Sequence, residues 1–391
     1  MYKAFKYRIF PTEPQKELIA KHIGHSRYVY NLALETKNAA YISAKHNYSA
    51  FDLVKQLPEL KKELPWLKEV NSQSLQQSIQ NMDIAFKKFF KGAGFPKFKS
   101  KHKGKQSFSI PQNVIVENDL LIIPKFKKGI KMSLHRPTKG IIKSATISVT
   151  PTGKYFVSIL CDTKEEVPTK TPIKENTTIG VDLGIKDFAI TSEGEFFENP
   201  KYLRKAQSKL KYVQRKYSKY KGRRTKKKLA KLHEDVVSKR KDFLHKVSTQ
   251  LIRENQTICL ETLSVKNMVK NHNLAQAISD ASWSTFVTML EYKADWYGKN
   301  IIRIGQFAPS SKTCSNCGAI NKELQLKDRK WTCSNCSTVL DRDVNAAINI
   351  KSFALKNHLS GEHTLKNQDE LPRLLGVLTP EAQLIASGVG G

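Results

Sequence analysis

Two pairs of cysteines near the end of the chain have the spacing of metal ligands. Cys314 and Cys317 form one CxxC pair, Cys333 and Cys336 form another, and 15 residues separate the pairs. Two such pairs at this separation are typical of a zinc ribbon. Four thiolates complete a tetrahedral shell around Zn²⁺ and leave no position for a reacting water. We predict one structural Zn²⁺ ion. Trp331 and its basic neighbours would suit a contact with nucleic acid, although a purely architectural clip remains open.

Three acidic residues stand in contexts that are unusual for a charge. Asp182 lies within the apolar strand "IGVDLGI", Glu261 lies at the end of "ICLETL", and Asp343 precedes a helix in "DRDVNAA". A charge in a buried strand is costly unless it is paired or binds a cation. We therefore expect the three carboxylates to converge on a metal. Helix capping by Asp343 is an open alternative, and Asp187 and Asp341 are weaker candidates.

Carboxylate oxygens are hard ligands that suit Mg²⁺ or Mn²⁺. Two such ions, about 3.5–4 Å apart, activate a water and stabilise the leaving oxygen in phosphodiester cleavage. The acidic residues therefore predict a two-metal site with phosphodiester chemistry.

The charge of the chain indicates a polyanionic partner. The 391 residues include 67 Lys and Arg against 35 Asp and Glu, a formal net charge of +32. Half of the surplus lies between Lys201 and Lys246, where 19 basic residues face 3 acidic ones, a difference of 16. Such an excess favours nucleic acid as the partner, with a solvated basic helix pair as the alternative. The sequence has no apolar run of about 20 residues and no signal-peptide core at its start, so we expect an intracellular protein without a membrane partner.

The pattern along the chain predicts an α+β protein of several domains. "YKAFKYRIF" is a strand, and Thr12 with Gln15 can form a capping box at the start of the next helix. "SATISVTPTGKYFVSILCDT" is a hairpin that turns near "PTGK". The stretch "KEEVPTKTPIKENT" is a linker, and "DVNAAINIKSFAL" is a helix. Cys161 and Cys259 lie in apolar strands and are interpreted as core residues.

Several motifs together carry a family resemblance. "GVDLGIKDFAI", "ICLETL", "SSKTCSNCG" and "CSNCSTVLDRDVNAAINI", with the N-terminal "YRIFPTEPQ", resemble the TnpB proteins of bacterial insertion sequences, which are compact relatives of type V CRISPR effectors. The resemblance covers most of the chain. It implies a multidomain α+β fold whose predicted parts are a β-barrel wedge domain (1–10 and 94–167), a helical recognition domain (11–93), an RNase H-like (RuvC) nuclease domain (168–308 and 339–356), an inserted zinc ribbon (309–338) and a C-terminal tail (357–391).

The resemblance also implies an activity. The expected protein is a prokaryotic, cytoplasmic and nucleoid-associated RNA-guided DNA endonuclease that acts as one monomer per RNA. It would bind a guide RNA from the end of its own element, recognise a short motif beside double-stranded target DNA, and cut with one RuvC site. Asp182, Glu261 and Asp343 match the catalytic positions and would hold two Mg²⁺ or Mn²⁺ ions. A nuclease-inactive guided regulator and an RNase H-fold transposase are the alternatives.

Further residues are candidates for contacts with nucleic acid. Glutamines pair with adenine edges, lysines neutralise phosphates, and neighbouring aromatics such as Phe95, Phe98 and Phe108 either stack on bases or belong to the core. The predicted contact residues are Gln73, Gln76, Gln77, Gln80, Lys97, Lys99, Lys101, Lys103, Lys105, Arg215, Arg223 and Arg224. One departure from the family is Ser337, which follows Cys336 where relatives often have glycine, so we expect slight backbone strain there.

Overall fold

A computed structural model describes residues 1–325 and 327–359 of the chain. These residues form two compact units, which divide between Glu165 and Glu166. We refer to residues 1–165 as unit 1 and to the described residues from 166 to 359 as unit 2. The division falls within the stretch 164–177 that the sequence predicts to be a linker. The finer domain limits given above remain predictions.

Unit 1 consists of one strand, followed by a group of helices and then by six further strands. Its elements are β1 (Tyr2–Phe10), α1 (Glu13–Ala44), α2 (Ala50–Lys55), α3 (Leu57–Glu63), α4 (Ser72–Phe89), β2 (Gln106–Ile110), β3 (Ile115–Glu117), β4 (Leu120–Ile123), β5 (Phe126–Ser133), β6 (Ile141–Val149) and β7 (Tyr155–Asp162).

The seven strands of unit 1 form one antiparallel sheet in the order β2-β6-β7-β1-β5-β4-β3. The predicted hairpin is β6 and β7, and Gly153 in its turn has a φ of 82°, a conformation that glycine adopts without strain. Cys161 is buried in the sheet core, as predicted. In the described part of the chain β2 and β3 each pair on one side only, so the sheet is open and the closed barrel of the prediction is not seen.

The helices of unit 1 begin where the sequence indicates. The Gln15 side chain accepts from the Thr12 backbone N–H at 3.0 Å, and the Asn71 side chain accepts from Gln73 N at 3.2 Å at the start of α4. The apolar faces of α1 and α4 then pack together in one core with Leu34, Leu75, Ile79 and Met82 buried. The buried ring of His22 joins the two helices, since its Nε2 accepts from Asn71 N at 3.0 Å.

Unit 2 carries the acidic residues and the cysteines. Its elements are β8 (Thr178–Leu183), β9 (Asp187–Thr191), β10 (Phe196–Glu198), α5 (Tyr202–Tyr220), α6 (Arg223–Glu254), β11 (Thr257–Glu261), α7 (Val265–Met268), α8 (His272–Ala281), α9 (Trp283–Tyr297), β12 (Asn300–Ile304), β13 (Lys330–Thr332), β14 (Val339–Asp341) and α10 (Arg342–Leu359).

Five strands of unit 2 form a mixed sheet in the order β10-β9-β8-β11-β12. β8, β11 and β12 are parallel, whereas β9 and β10 continue the sheet in antiparallel hairpins. The basic stretch forms two helices, α5 and α6, and apolar residues of α6 and α9 pack in the same core as the strands. Cys259 is buried against Ile350 of α10, so it is a core residue, as predicted.

In the part of the chain that the structure describes, no helix is long and apolar enough to cross a membrane. Most of the predicted tail, residues 360–391, lies outside the described residues.

Candidate metal centres and nucleic-acid contacts

Asp182 and Glu261 are brought together by neighbouring parallel strands. In the register of β8 and β11, Val181 is opposite Leu260, so the next residue of each strand is one of the two acids. The carboxyl ends of these strands therefore place two carboxylates side by side at one edge of the sheet. The residues that precede the two acids in β8 and β11 are buried.

The electrostatics show that this arrangement is unfavourable for negative charge. Burial raises the pKa of Asp182 to about 7, with further contributions from the charges of Asp343 and Glu261 and an opposing one from Arg342. Burial also raises the pKa of Glu261. A cation placed here would favour the ionised forms. We refer to Asp182, Glu261 and Asp343 as the acidic trio.

Asp343 occupies the first turn of α10, but it does not cap that helix. The cap is Asp341, whose Oδ1 accepts from the backbone N–H groups of Asp343 at 3.0 Å and of Val344 at 3.2 Å. The alternative in which Asp343 is only a helix cap is therefore wrong. A cap satisfies backbone donors that have no partner within the helix, so Asp341 has a structural task and the Asp343 carboxylate points elsewhere.

Two arginines contact the Asp343 carboxylate. Arg342 donates to its Oδ1 from Nε at 3.0 Å and from a terminal nitrogen at 2.9 Å, and Arg329 donates to its Oδ2 at 2.9 Å. Both carboxylate oxygens are therefore partnered by guanidinium groups. Arg329 comes from the loop before β13, so the cysteine-bearing segment contributes directly to the surroundings of the acidic trio.

Close packing fixes the position of α10 on the sheet. A Cβ atom added to Gly180 would lie 2.0 Å from the carbonyl oxygen of Ala347, so only glycine permits this approach of helix and strand. The sequence signal is a glycine within an apolar strand, which indicates close backbone approach. Sequence reasoning missed this residue, which positions Asp343 relative to Asp182.

Two buried asparagines attach α10 to the start of the cysteine segment. Asn345 accepts from Ser315 N at 2.8 Å and donates to Thr313 O at 2.7 Å. Asn349 donates to Ser310 O at 2.8 Å and to Thr313 O at 2.6 Å. Sequence reasoning also missed these residues, although two asparagines four apart within the apolar run "NAAIN" lie on one helix face and could have been noticed.

The four cysteines form one compact cluster, which we call the cysteine cluster. Cys314 Sγ lies 3.6 Å from Cys336 Sγ, and Cys317 Sγ lies 3.6 Å from Cys333 Sγ. All four sulfur atoms lie within 4.8 Å of one another. Tetrahedral Zn²⁺ with bonds of about 2.3 Å needs sulfurs about 3.8 Å apart, so the cluster fits zinc.

Local hydrogen bonds and burial shift the pKa values of the thiols in opposite directions. Hydrogen bonds from the Thr338 side chain and backbone and from Asn316 lower the pKa of Cys336 to about 5, whereas burial raises the pKa of Cys314 to about 11. A bound metal ion deprotonates a ligating thiol outright, so both can serve as thiolates. The strain predicted at Ser337 is present, because its φ is 56°, while Gly318 occupies the same place after Cys317 with a φ of 79°.

Among the described residues, the cysteine cluster is the single group of three or more His, Cys, Asp or Glu side chains whose ligand atoms approach this closely. The three carboxylates of the acidic trio are therefore further apart than the four thiols. Trp331 is buried in the core of the cysteine segment with Leu324 and Leu340, so its ring is not exposed for the contact with nucleic acid that the sequence suggests.

The candidate contacts with nucleic acid fall into separate groups. The four glutamines lie on α4, where Gln73 donates to Gln112 and Gln77 donates to Asn81. The three arginines are exposed on α5 and α6. Lys97, Lys99, Lys103 and Lys105 line a cavity of unit 1, whereas Lys101 does not.

The aromatic residues near these lysines differ in burial. Phe108 is a core residue, whereas Phe95 and Phe98 are 49% and 59% exposed. Phe95 packs edge-on against Phe86 and Phe89. Phe98 is therefore the ring that remains most available for stacking.

Comparisons with known proteins identify the family of this chain. A protein of Streptomyces pristinaespiralis whose name describes an RNA-guided DNA endonuclease is 38% identical over 372 residues, which are 92% of this chain and 91% of the relative. The chain belongs to the TnpB/IS605 family. The Escherichia coli K12 protein InsQ, named in the same way, is 31% identical over 374 residues, with 89% and 91% of the two chains covered.

Family models match three parts of this TnpB/IS605 chain. They are described as a Cas12f1-like TNB domain (residues 283–350), a probable transposase of the OrfB_IS605 type (158–272) and a helix-turn-helix domain (1–46). In this structure residues 1–46 contain β1 and the single long helix α1.

One solved structure shares the fold. The chain resembles the protein in a cryo-EM structure of a Cas12f1-sgRNA-target DNA complex with a TM-score of 0.54 and 13% identity, covering 90% of this chain and 98% of the other. The likeness supports a Cas12f-like multidomain α+β fold.

Proposed function

We propose that this chain is an RNA-guided, metal-dependent DNA endonuclease of a transposable element. The observation that carries the proposal is the buried carboxylate of Asp182, whose pKa is raised to about 7 by burial and by the charges of Asp343 and Glu261. A buried carboxylate whose ionisation is opposed by two further acids, in a chain of net charge +32, is what a cation-dependent reaction on nucleic acid requires. The names of the relatives point to the same activity.

The acidic trio would hold two Mg²⁺ or Mn²⁺ ions. The donor set fits, because carboxylate oxygens are the ligands these ions prefer and because a cation offsets the cost of three neighbouring negative charges. When bound, such ions activate a water and stabilise the leaving oxygen of a phosphodiester. Arg342 and Arg329 balance the charge of Asp343, so they compete with the metal for its oxygens and set how readily it binds.

The cysteine cluster would hold one Zn²⁺ ion with a structural role. Four sulfur ligands leave no position for substrate. Zinc would order the segment to which Asn345 and Asn349 attach α10. It would therefore help to hold Asp343, which lies at the start of that helix. In this proposal the ion acts on the reaction only through the position of a carboxylate.

The partners are a guide RNA transcribed from the end of the element and a double-stranded target beside a short recognised motif. In this proposal residues 168–308 and 339–356 form a RuvC-like domain, residues 309–338 form the zinc ribbon, and the sheet and helices of unit 1 form the wedge and recognition domains. The exposed arginines of α5 and α6 would hold nucleic acid through its phosphates. The protein would act as one monomer per RNA in the prokaryotic cytoplasm.

The test uses the full chain expressed together with its flanking DNA. RNA that copurifies is sequenced, and a plasmid that matches its variable end, beside a randomised flank, is offered as target. We expect Mg²⁺-dependent cleavage beside one flank sequence by the native protein, and no cleavage by Asp182→Asn, which should still bind RNA.

The other outcomes separate the rivals. Guided binding of the target without cutting by the native protein would indicate a regulator. Joining of DNA ends after RNase treatment would indicate a transposase.

A further inference from the structure

Unit 1 contains a cavity of about 680 Å³ that the proposed nuclease chemistry does not use. It is enclosed by α1, α4, β2, β6, β7 and the loop formed by residues 97–105. Sites for small molecules have volumes of about 300–1,000 Å³, so a group of the size of one nucleotide fits this space.

The charge of the cavity wall is of one sign. Six basic residues line it, namely Arg27, Lys88, Lys97, Lys99, Lys103 and Lys105, and no Asp or Glu is among the described residues of the wall. Cations gathered without carboxylates repel one another, so the wall favours an anion. A phosphate group satisfies this requirement.

The remaining wall is rich in hydroxyl groups. Ser78, Ser109, Ser144, Thr146 and Ser158 all contribute to it. Hydroxyls both donate and accept hydrogen bonds, as the 2′-hydroxyl of a ribose does.

Ser26 provides an independent sign that a ligand belongs in the cavity. The residue is only 4% exposed and lines the cavity from α1, yet its hydroxyl has no hydrogen-bond partner among the described residues. A buried polar group without a partner costs free energy, so native proteins satisfy nearly all of them. A polar group of a ligand would satisfy this one.

The loop that carries the lysines is already positioned. The Asn31 side chain donates to Lys99 O at 3.0 Å and accepts from Lys99 N at 2.8 Å. The Lys99 ammonium then lies 3.9 Å from the centroid of the Tyr30 ring, and loss of water around it lowers the pKa of Lys99 to about 8. An anion nearby strengthens the preference for the charged form, so the ammonium is suited to a phosphate.

Phe98 supplies the contact for a base. It lines the same cavity and is 59% exposed, whereas Phe108, also in the wall, is buried. Stacking on an aromatic ring is the common way in which proteins hold an unpaired base, whatever its identity.

We propose that this cavity binds one unpaired ribonucleotide of the guide RNA, with its base on Phe98, its phosphate among the lysines of the 97–105 loop and its ribose against the hydroxyl-lined wall. The inference rests on the proposed function, because that function supplies the RNA. RNA is favoured over DNA because a 2′-hydroxyl provides a partner for the hydroxyl groups of the wall, including that of Ser26.

The test is a nucleotide-resolution footprint of the RNA that copurifies with the full chain. We expect one nucleotide outside the target-pairing segment to be protected by the native protein and to become reactive in Phe98→Ala. Phe98→Trp should restore its protection, because a larger ring still stacks. Lys103→Gln should expose the same nucleotide, whereas Lys101→Gln, two residues away in the same loop but not in the wall, should leave it protected.

Short single-stranded RNA and DNA of matched sequence provide the second measurement. Phe98→Ala should weaken RNA affinity by about tenfold, the lower range for loss of one stacked base, and should affect DNA less. Melting temperatures of all variants report on folding; the exposure of Phe98 leads us to expect little change.

The results separate this inference from the proposed function. The native protein could cut a guided target and have the same RNA footprint as Phe98→Ala and Lys103→Gln. In that case the proposed binding of a nucleotide in the cavity is wrong and the nuclease proposal stands. Equal loss of DNA and RNA binding would overturn the assignment to RNA. If no RNA copurifies with the native protein, both proposals fail together.

Discussion

The cysteine cluster and the acidic trio are both in unit 2, and Cys336 is only seven positions from Asp343 (343 − 336 = 7). They are nevertheless built in different ways. The four sulfur atoms come from two short knuckles and lie within 4.8 Å of one another. The carboxylates come from β8, β11 and α10, do not approach as closely, and include one that is paired with two arginines.

The difference shows how a cluster of local ligands and a set of acids from distant segments are assembled. A closed thiolate site can be organised by local turns, because its ligands need only be near each other. The acidic trio depends on strand register and on the position of α10 against the sheet, and burial makes the ionised form of Asp182 unfavourable. The cysteine-bearing segment supplies Arg329 to Asp343 and accepts hydrogen bonds from Asn345 and Asn349 of α10. This segment therefore helps to position the acidic trio.

The largest expected effect comes from Asp182→Asn. We expect cleavage of a guided target to fall by at least about 100-fold, because the amide cannot supply the charge that the metals require. Zinc content, measured by atomic emission, and RNA binding should remain at native levels. Loss of zinc in this variant would mean that the two sites are not separate.

Cys333→Ser should lose zinc, whereas Asp182→Asn should retain it. We expect zinc content to fall from one ion per chain towards zero and the segment from 309 to 338 to become sensitive to protease, because a structural zinc supplies the folding free energy of such a segment. Cleavage should also fall, since Asn345 and Asn349 lose their partners. Cys161→Ala, in the core of unit 1, is the matched control and should keep zinc. Native zinc content in Cys333→Ser would contradict the four-thiolate site.

Gly180→Ala tests whether a displacement of α10 affects the acidic trio without affecting the cysteine cluster. The added Cβ would lie 2.0 Å from Ala347 O, so the helix must shift. We expect cleavage to decrease by about 10- to 100-fold, the usual cost of disturbing the groups that orient metal ligands, while zinc is retained. Gly305→Ala is the control, because its Cβ would meet nothing within 4 Å. Equal activity of the two variants would show that α10 tolerates displacement.

The pH dependence of stability distinguishes the two sites further. The folded-state pKa of Asp182, about 7, is above its ordinary value of 3.8, so its contribution to stability is complete below about pH 3.8 and is lost as the pH rises through 7. In protein that retains zinc but has no added Mg²⁺, we expect Asp182→Asn to remove a downward slope of up to about 1.4 kcal/mol per pH unit across this window. Denaturant unfolding at several pH values measures this slope. Identical slopes in the native protein and in Asp182→Asn would contradict the prediction.

Ser337→Gly should have the smallest effect and should concern the cysteine cluster alone. Ser337 has a φ of 56°, and a non-glycine residue in this region costs about 1–2 kcal/mol. We expect the variant to release zinc to a chelator more slowly, with an increase in local stability of about 1 kcal/mol. Gly318→Ser at the corresponding place should speed release. We expect cleavage to remain at the native level.

Much of the fold could be predicted because its signals are local. The strand β1, the Thr12–Gln15 start of α1 and the turn at Gly153 follow from periodicity and from residues with specific backbone preferences. The sheet of unit 1 is a limit of this reasoning. The family resemblance implies a barrel, whereas among the described residues β2 and β3 each pair on one side only, because closure of a sheet depends on pairing between distant segments.

The chain alone carries the information for the cysteine cluster, the excess of positive charge and the types of the acidic residues, since ligand identity and spacing are local properties. The three-dimensional packing was needed to establish that Asp341 caps α10 while Asp343 pairs with arginines, that Trp331 is buried, and that Gly180 permits the helix to approach the sheet. These features depend on the direction of a side chain and on the gap between two backbones. Both are set by packing among segments far apart in the chain, which no local pattern specifies.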